Sequence, residues 1–139
     1  MRSFSGLVFC VAVMTAFTGA AFAQDKSVYD EITLTSGVKV RTLRQGAGKS
    51  PTASDRVTVH YRGNLVDGRE FDSSWSRGSP STFPLSGVIR CWTEGMQRMQ
   101  VGGKARLTCP PATAYGPRAV GGIPPDSTLI FEVELLDVN

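Results

Sequence analysis

The chain predicts an α+β fold in which an antiparallel sheet wraps over one short helix, and three observations carry that expectation. Segments with period-two alternation of apolar and polar residues recur between Val38 and Val138. Turn-forming pairs such as Ser36-Gly37, Asp67-Gly68 and Gly102-Gly103 lie between them. Only one segment, GVIRCWTEGMQRM, spaces its apolar residues as a helix does.

Residues 1–23 read as a secretory signal peptide: Arg2 gives a positive start, Leu7 to Ala23 is almost unbroken apolar sequence, and Ala21-Phe22-Ala23 supplies small residues at a cleavage site. The apolar run is shorter than the ~20 residues of a comfortable membrane span, which favours cleavage over a retained anchor. Residues 24–36 form a short polar extension and residues 37–139 a single domain. Within it, Val38 and Val40 alternate with polar partners behind the Ser36-Gly37 turn and predict a first strand. Residues 45–54 are a loop. It contains GAGKS, yet Leu43 stands where a phosphate-binding loop needs its first glycine and Pro51 where its helix begins, so no nucleotide site is expected.

In DRVTVHYRGNL, Val57, Val59 and Tyr61 share one face and Thr58, His60 and Arg62 the other, the pattern of a half-buried strand. Asp67-Gly68 then turns the chain into the short run Arg69 to Asp72, a hairpin signal. Val88, Trp92, Met96 and Met99 gather on one face of the predicted helix, which should stop near Gly102-Gly103. Two more strands are expected: Lys104 to Cys109, with Ala105, Leu107 and Cys109 facing one way, and Ser127 to Val138, with Leu129, Phe131, Val133 and Leu135 facing one way.

The 139 residues carry 15 Lys and Arg against 12 Asp and Glu, a formal charge of +3. The cations are scattered among acids and no nucleic-acid reader motif is present, so a nucleic-acid partner is not expected. Of three cysteines, Cys10 falls in the signal segment. Cys91 and Cys109 remain either as a disulfide, stabilising by about 3 kcal/mol in an oxidising compartment, or as two buried reduced thiols. Nucleophilic hydrolysis needs a serine or cysteine beside a base, but the one histidine, His60, sits on the polar face of a strand and reads as structural. A lone histidine and two separated cysteines do not make a metal site, and no metal or other cofactor is expected.

What remains is a set of aromatic and branched residues placed where strands meet turns: Tyr61, Phe71, Phe83, Val88, Ile89, Trp92, Tyr115, Ile123 and Phe131. Taken singly, each reads equally well as core. Their order decides otherwise. VHYRGNLVDGREFDSS, FPLSGVIRCWTEGM, VGGKARLTCPPATAYG and GGIPPDSTLIFEVELLDV follow one another as in the FKBP-type peptidyl-prolyl cis-trans isomerases, the macrolide-binding immunophilins. The chain resembles the exported single-domain bacterial members over Val38 to Val138.

The resemblance implies a five- or six-stranded antiparallel half-barrel around one short helix. It implies Trp92 as the floor of a substrate pocket, walls from Tyr61, Phe71, Phe83 and Phe131, Val88 and Ile89 at the rim with the Ile89 N–H free for a carbonyl, and Ile123 as a further substrate contact. Tyr115 would offer its hydroxyl to the carbonyl before proline, with Asp72 the one charge near the reacting amide and Tyr61 beside it. The implied partners are exported or unfolded proteins with X-Pro bonds, and macrolides such as rapamycin or tacrolimus as inhibitors. An exported monomer, periplasmic or secreted and free of the membrane after cleavage, is expected. The alternative is a peptide-binding or chaperone module whose isomerisation is incidental.

Three positions depart from the family pattern. The bend GPRAVGGIPP is a residue shorter than in common cytosolic members and has Val120 in place of a histidine. Cys91 replaces the usual glycine before the tryptophan, and Cys109 an aliphatic residue. The joint change strengthens the disulfide reading. Arg77 is a candidate ion-pair partner for Asp72.

Overall fold

A computed structural model of the chain describes residues 31–139, so the expected signal peptide and most of the expected polar extension lie outside the described residues. Seven strands form one antiparallel sheet: β1 (Glu31–Thr33), β2 (Lys39–Arg44), β3 (Arg56–Leu65), β4 (Glu70–Ser73), β5 (Ser81–Pro84), β6 (Lys104–Cys109) and β7 (Leu129–Val138). Their order is β1-β2-β6-β7-β3-β4, and β5 shares the outer edge of β3 with β4. β5 takes Arg56 to Val59 and β4 takes Arg62 to Asn64, so one long strand supports two short ones end to end. The sheet is open, with β1 at one edge and β4 and β5 at the other.

Strict alternation builds the core. Val57, Val59 and Tyr61 of β3, Ala105 and Leu107 of β6, and Leu129, Phe131, Val133 and Leu135 of β7 are all buried on the inner face. At Gly63 that face must admit two rings. A Cβ there would stand 2.5 Å from Phe71 Cζ and 2.8 Å from Phe131 Cε1, so only glycine lets both nest on the strand. The central helix α2 (Arg90–Gly95) lies against the inner face and buries Cys91, Trp92 and Gly95, with Met96 and Met99 continuing its apolar stripe.

The helical segment is shorter and tighter than its periodicity predicts. One 3-10 turn precedes α2 at Leu85–Gly87, another follows at Met96–Arg98, and the chain is already extended at Met99, ahead of Gly102. A second helix, α1 (Ser74–Arg77), was not anticipated. It is a single turn, capped by the Ser73 side chain accepting from the Ser76 N–H and closed by Gly78 at φ 76°. Strands β1 and β5 also go beyond the expected count. They are three and four residues long and exist by pairing with β2 and β3, not by alternation of their own.

Cys91 and Cys109 are joined in a disulfide with Cα atoms 5.6 Å apart, within the ordinary range. It fastens the first turn of α2 to the end of β6, and both residues are fully buried.

Candidate functional site

Between α2 and the inner face of the sheet lies a cavity of about 500 Å³, lined by Tyr61, Phe71, Asp72, Phe83, Gly87, Val88, Ile89, Trp92, Tyr115 and Phe131. Four strands, a helix and two connections therefore converge on one space. Trp92, buried in α2, is its centre. Tyr61, Phe83 and Phe131 meet the indole nearly perpendicularly at centroid distances of 5.1, 5.6 and 5.3 Å, and Phe71 meets Phe131 the same way at 5.6 Å. Edge-to-face contact suits the ring quadrupoles and sets the rings upright around the opening instead of filling it. Trp92 Nε1 is buried with no hydrogen-bond partner among the described residues.

Tyr61 is positioned from behind. Its backbone N–H donates to Ser74 Oγ at 2.7 Å, and this fully buried hydroxyl also lies 2.9 Å from His60 Nδ1. His60 stacks on Trp75 with centroids 5.4 Å apart. That places the single histidine on the outer face, across the strand from the cavity.

At the front, the Tyr61 hydroxyl donates to Asp72 Oδ2, while Arg77 reaches Asp72 Oδ1 and, at 3.0 Å, the Tyr61 hydroxyl oxygen. The carboxylate is clamped between a phenol and a guanidinium. Burial pushes the Asp72 carboxyl upward, but the bonds from Tyr61 and Arg77 and the Arg77 charge outweigh it and hold it below the ordinary 3.8. Burial, and then the bond to the Asp72 anion, hold the Tyr61 hydroxyl above 10.0. Over the range between, the Tyr61–Asp72 pair keeps one protonation state.

Two groups at the mouth have no acceptor or donor of their own. Ile89 precedes α2 and receives bonds from Trp92 and Thr93 at its carbonyl, whereas its N–H donates to nothing among the described residues. The Tyr115 side chain, 36% exposed, makes no side-chain hydrogen bond among them either. Its turn is held by Ala114 and Gly116 N–H groups on the Pro111 carbonyl, and Asp126 N–H reaches the Gly116 carbonyl at 2.8 Å.

All but one of the residues expected at the site line this cavity. Ile123 does not. It is buried in the core cluster and bridged to Val120 within the glycine-rich bend. Gly87 lines the wall without having been anticipated, since a glycine in a 3-10 turn leaves no pattern in sequence. Chemically, the space holds rings, two phenols and one neutralised carboxylate. It can shield and orient an amide, but it offers no base beside a nucleophile.

Residues 48–136 match the family described as FKBP-type peptidyl-prolyl cis-trans isomerase. The chain is 50% identical over 118 residues to the FKBP-type peptidyl-prolyl cis-trans isomerase FkpA of Escherichia coli strain K12, an overlap of 85% of this chain and 43% of that protein. The crystal structure of Escherichia coli FkpA superposes with a TM-score of 0.77 at 48% identity, covering 85% of this chain and 54% of that one. A peptidyl-prolyl cis-trans isomerase structure from Pseudomonas syringae superposes at 0.74 with 39% identity, covering 82% and 84%. The chain thus spans less than half the length of the curated FkpA it matches.

Proposed function

Because this chain belongs to the FKBP-type peptidyl-prolyl cis-trans isomerase family, we propose that it accelerates rotation about X-Pro peptide bonds in proteins that are folding. The observation that carries this reading is the ring-walled cavity around Trp92 with the Tyr115 hydroxyl and the Ile89 N–H unengaged at its mouth.

Such a rotation requires no proton transfer. Its barrier, about 18 to 20 kcal/mol, comes from amide resonance, which is lost as the bond twists. The planar amide is the more polar state, so a water-poor cavity disfavours it relative to the twisted one, and that difference lowers the barrier. In this assignment Trp92 underlies the proline ring, Tyr61, Phe71, Phe83 and Phe131 exclude water, and Val88 shapes the rim. Ile89 N–H and Tyr115 Oη–H donate to substrate carbonyls and fix the residues on either side of the rotating bond. Asp72, held by Tyr61 and Arg77, faces the amide as a fixed anion.

A thousandfold acceleration corresponds to about 4 kcal/mol, more than the ~1 to 3 kcal/mol of one hydrogen bond. Cis/trans exchange on a short proline peptide, with and without tacrolimus, tests the assignment. Acceleration blocked by the macrolide is expected, and Tyr115→Phe should lower kcat/KM by roughly three- to tenfold, about 1 kcal/mol. No acceleration on several peptides would leave a peptide-binding module in its place.

The pH profile is a second check. Asp72 is depressed below 3.8 and Tyr61 raised above 10.0, so kcat/KM should be flat from about pH 5 to 9. On the acid side, a depressed carboxyl stabilises the fold above its unfolded value and loses that contribution as pH falls through the lower folded value. The profile should therefore decline only below about pH 4. A limb near pH 6 to 7 would require a titrating group at the site and would overturn this clamp.

We also infer export. The N-terminal signal pattern and the buried disulfide support an oxidising compartment. Intact mass of protein recovered from its producing cell should match Gln24 to Asn139 less two hydrogens; an uncleaved, reduced chain would refute it.

A further inference from the structure

We propose that the outer face of the sheet carries a second polypeptide-binding site, for an extended segment that presents carboxylates next to a branched apolar side chain. Three neighbouring cross-strand rows make this face. Register places Arg41, Arg106, Glu132 and Arg62 in one row, Lys39, Thr108, Ile130 and Asn64 in the next, and Arg44, Lys104, Glu134 and His60 in the third. With their edge partners, the three rows hold six cations, Lys39, Arg41, Arg44, Arg62, Lys104 and Arg106, and four carboxylates, Glu31 opposite Arg41, Glu70 opposite Asn64, and Glu132 and Glu134 on β7. These rows thus carry an excess of two positive charges.

Three of these acids are already committed, and the fourth, Glu70, stands on β4, three strands from Arg106. Glu132 bonds Arg62 at 2.8 Å and Lys104 at 2.7 Å, and Glu134 bonds Arg44 at 3.0 Å. Glu31 lies opposite Arg41 in register but has its carboxylate 4.0 Å from the Lys39 ammonium. Arg41 and Arg106 are left directly opposite one another, both exposed, with no carboxylate bonded to either among the described residues. Like charges in that relation destabilise a sheet. A guanidinium pair instead offers two planar forks matched to carboxylates.

Beside Arg106 lies a shallow cavity of about 390 Å³, lined by Arg62, Asn64, Leu65, Val66, Arg106 and Ile130 among others. Val66 is 70% exposed, the most open of the large apolar side chains among the described residues. Apolar floor and cationic rim together fit a polypeptide. A uniformly anionic surface, lipid or nucleic acid, would also press against Glu132 and Glu134, which stand among the cations. Glu132 alternates with buried Phe131 and Val133, so this site and the ring-walled cavity occupy opposite faces of the same strands and can be filled together.

The probe is a fluorescein-labelled, proline-free peptide repeating Asp-Asp-Leu-Leu, so that each face of the extended chain alternates carboxylate and leucine, followed by anisotropy with the whole domain. Saturable binding below about 1 mM is expected, unchanged by saturating tacrolimus. Arg106→Glu should weaken it at least tenfold and Val66→Ser about threefold, while Arg106→Glu leaves exchange on a short proline peptide at the wild-type rate. Added salt should weaken binding. No saturation, equal affinity for the matching Asn-Asn-Leu-Leu peptide, displacement by tacrolimus, or tighter binding to phosphatidylglycerol vesicles than to the peptide would each overturn the proposal. Because the probe lacks proline, its failure is separate from any failure of the isomerase reading.

Discussion

Trp92→Leu is expected to lower kcat/KM on a proline peptide by more than tenfold in a domain that still folds. Trp92 touches Tyr61, Phe83 and Phe131 at once, and each perpendicular pair contributes about 0.5 to 1.5 kcal/mol beyond simple burial. Truncation to alanine would cost some 3 to 5 kcal/mol of stability and confound the measurement. Leucine keeps an apolar floor but removes the plane that the proposed assignment sets under the proline ring, and lets the surrounding rings lean inward. The thermal transition should be measured first, then kcat/KM and tacrolimus affinity on the folded variant. A folded Trp92→Leu protein with wild-type turnover would remove the indole from the mechanism.

Loss of the disulfide should be the largest change in stability. The bridge closes a separation of 18 residues, a loop whose constraint on the unfolded chain is worth about 3 kcal/mol. The double variant Cys91→Ser, Cys109→Ser should melt on the order of 10 °C lower, and reduced wild type should follow it. Both residues are fully buried. A thiol reductant therefore reaches the sulfur atoms only when α2 or the end of β6 opens, and native protein should resist it until denaturant is added. Equal midpoints for oxidised and reduced protein would show that the bridge adds nothing.

Sequence revealed those parts of the fold whose burial is one-sided. β3 and β6 alternate throughout, and β7 as far as Leu135, because each has one face in the core and one in water, and their inward residues were legible one by one. β5 was not, since STFP ends in proline and owes its strand character to β3. α1 was hidden for a similar reason: its cap comes from Ser73 and its closure from Gly78, and a single turn has no periodicity to detect. The cavity walls were legible only through the order of four motifs, because Tyr61, Phe83 and Phe131 taken alone look like core. Ile123 shows the limit. Its neighbours Gly121, Gly122 and Pro124 are exposed while its side chain is buried in the core, and a glycine-rich bend carries no alternation from which to tell the two apart.

β3 pairs with β7 along its full length, Val57 with Val138 through Leu65 with Leu129, across some 70 positions of chain. During synthesis, then, β3, the longest described strand of the first half, emerges long before its principal partner exists. Until residues 129–138 arrive, only the short β4 and β5 can cover one edge of it. The other edge stays available to any passing strand, so nascent chains are most prone to aggregate in that interval, and closure of the sheet is slow because it awaits so distant a contact.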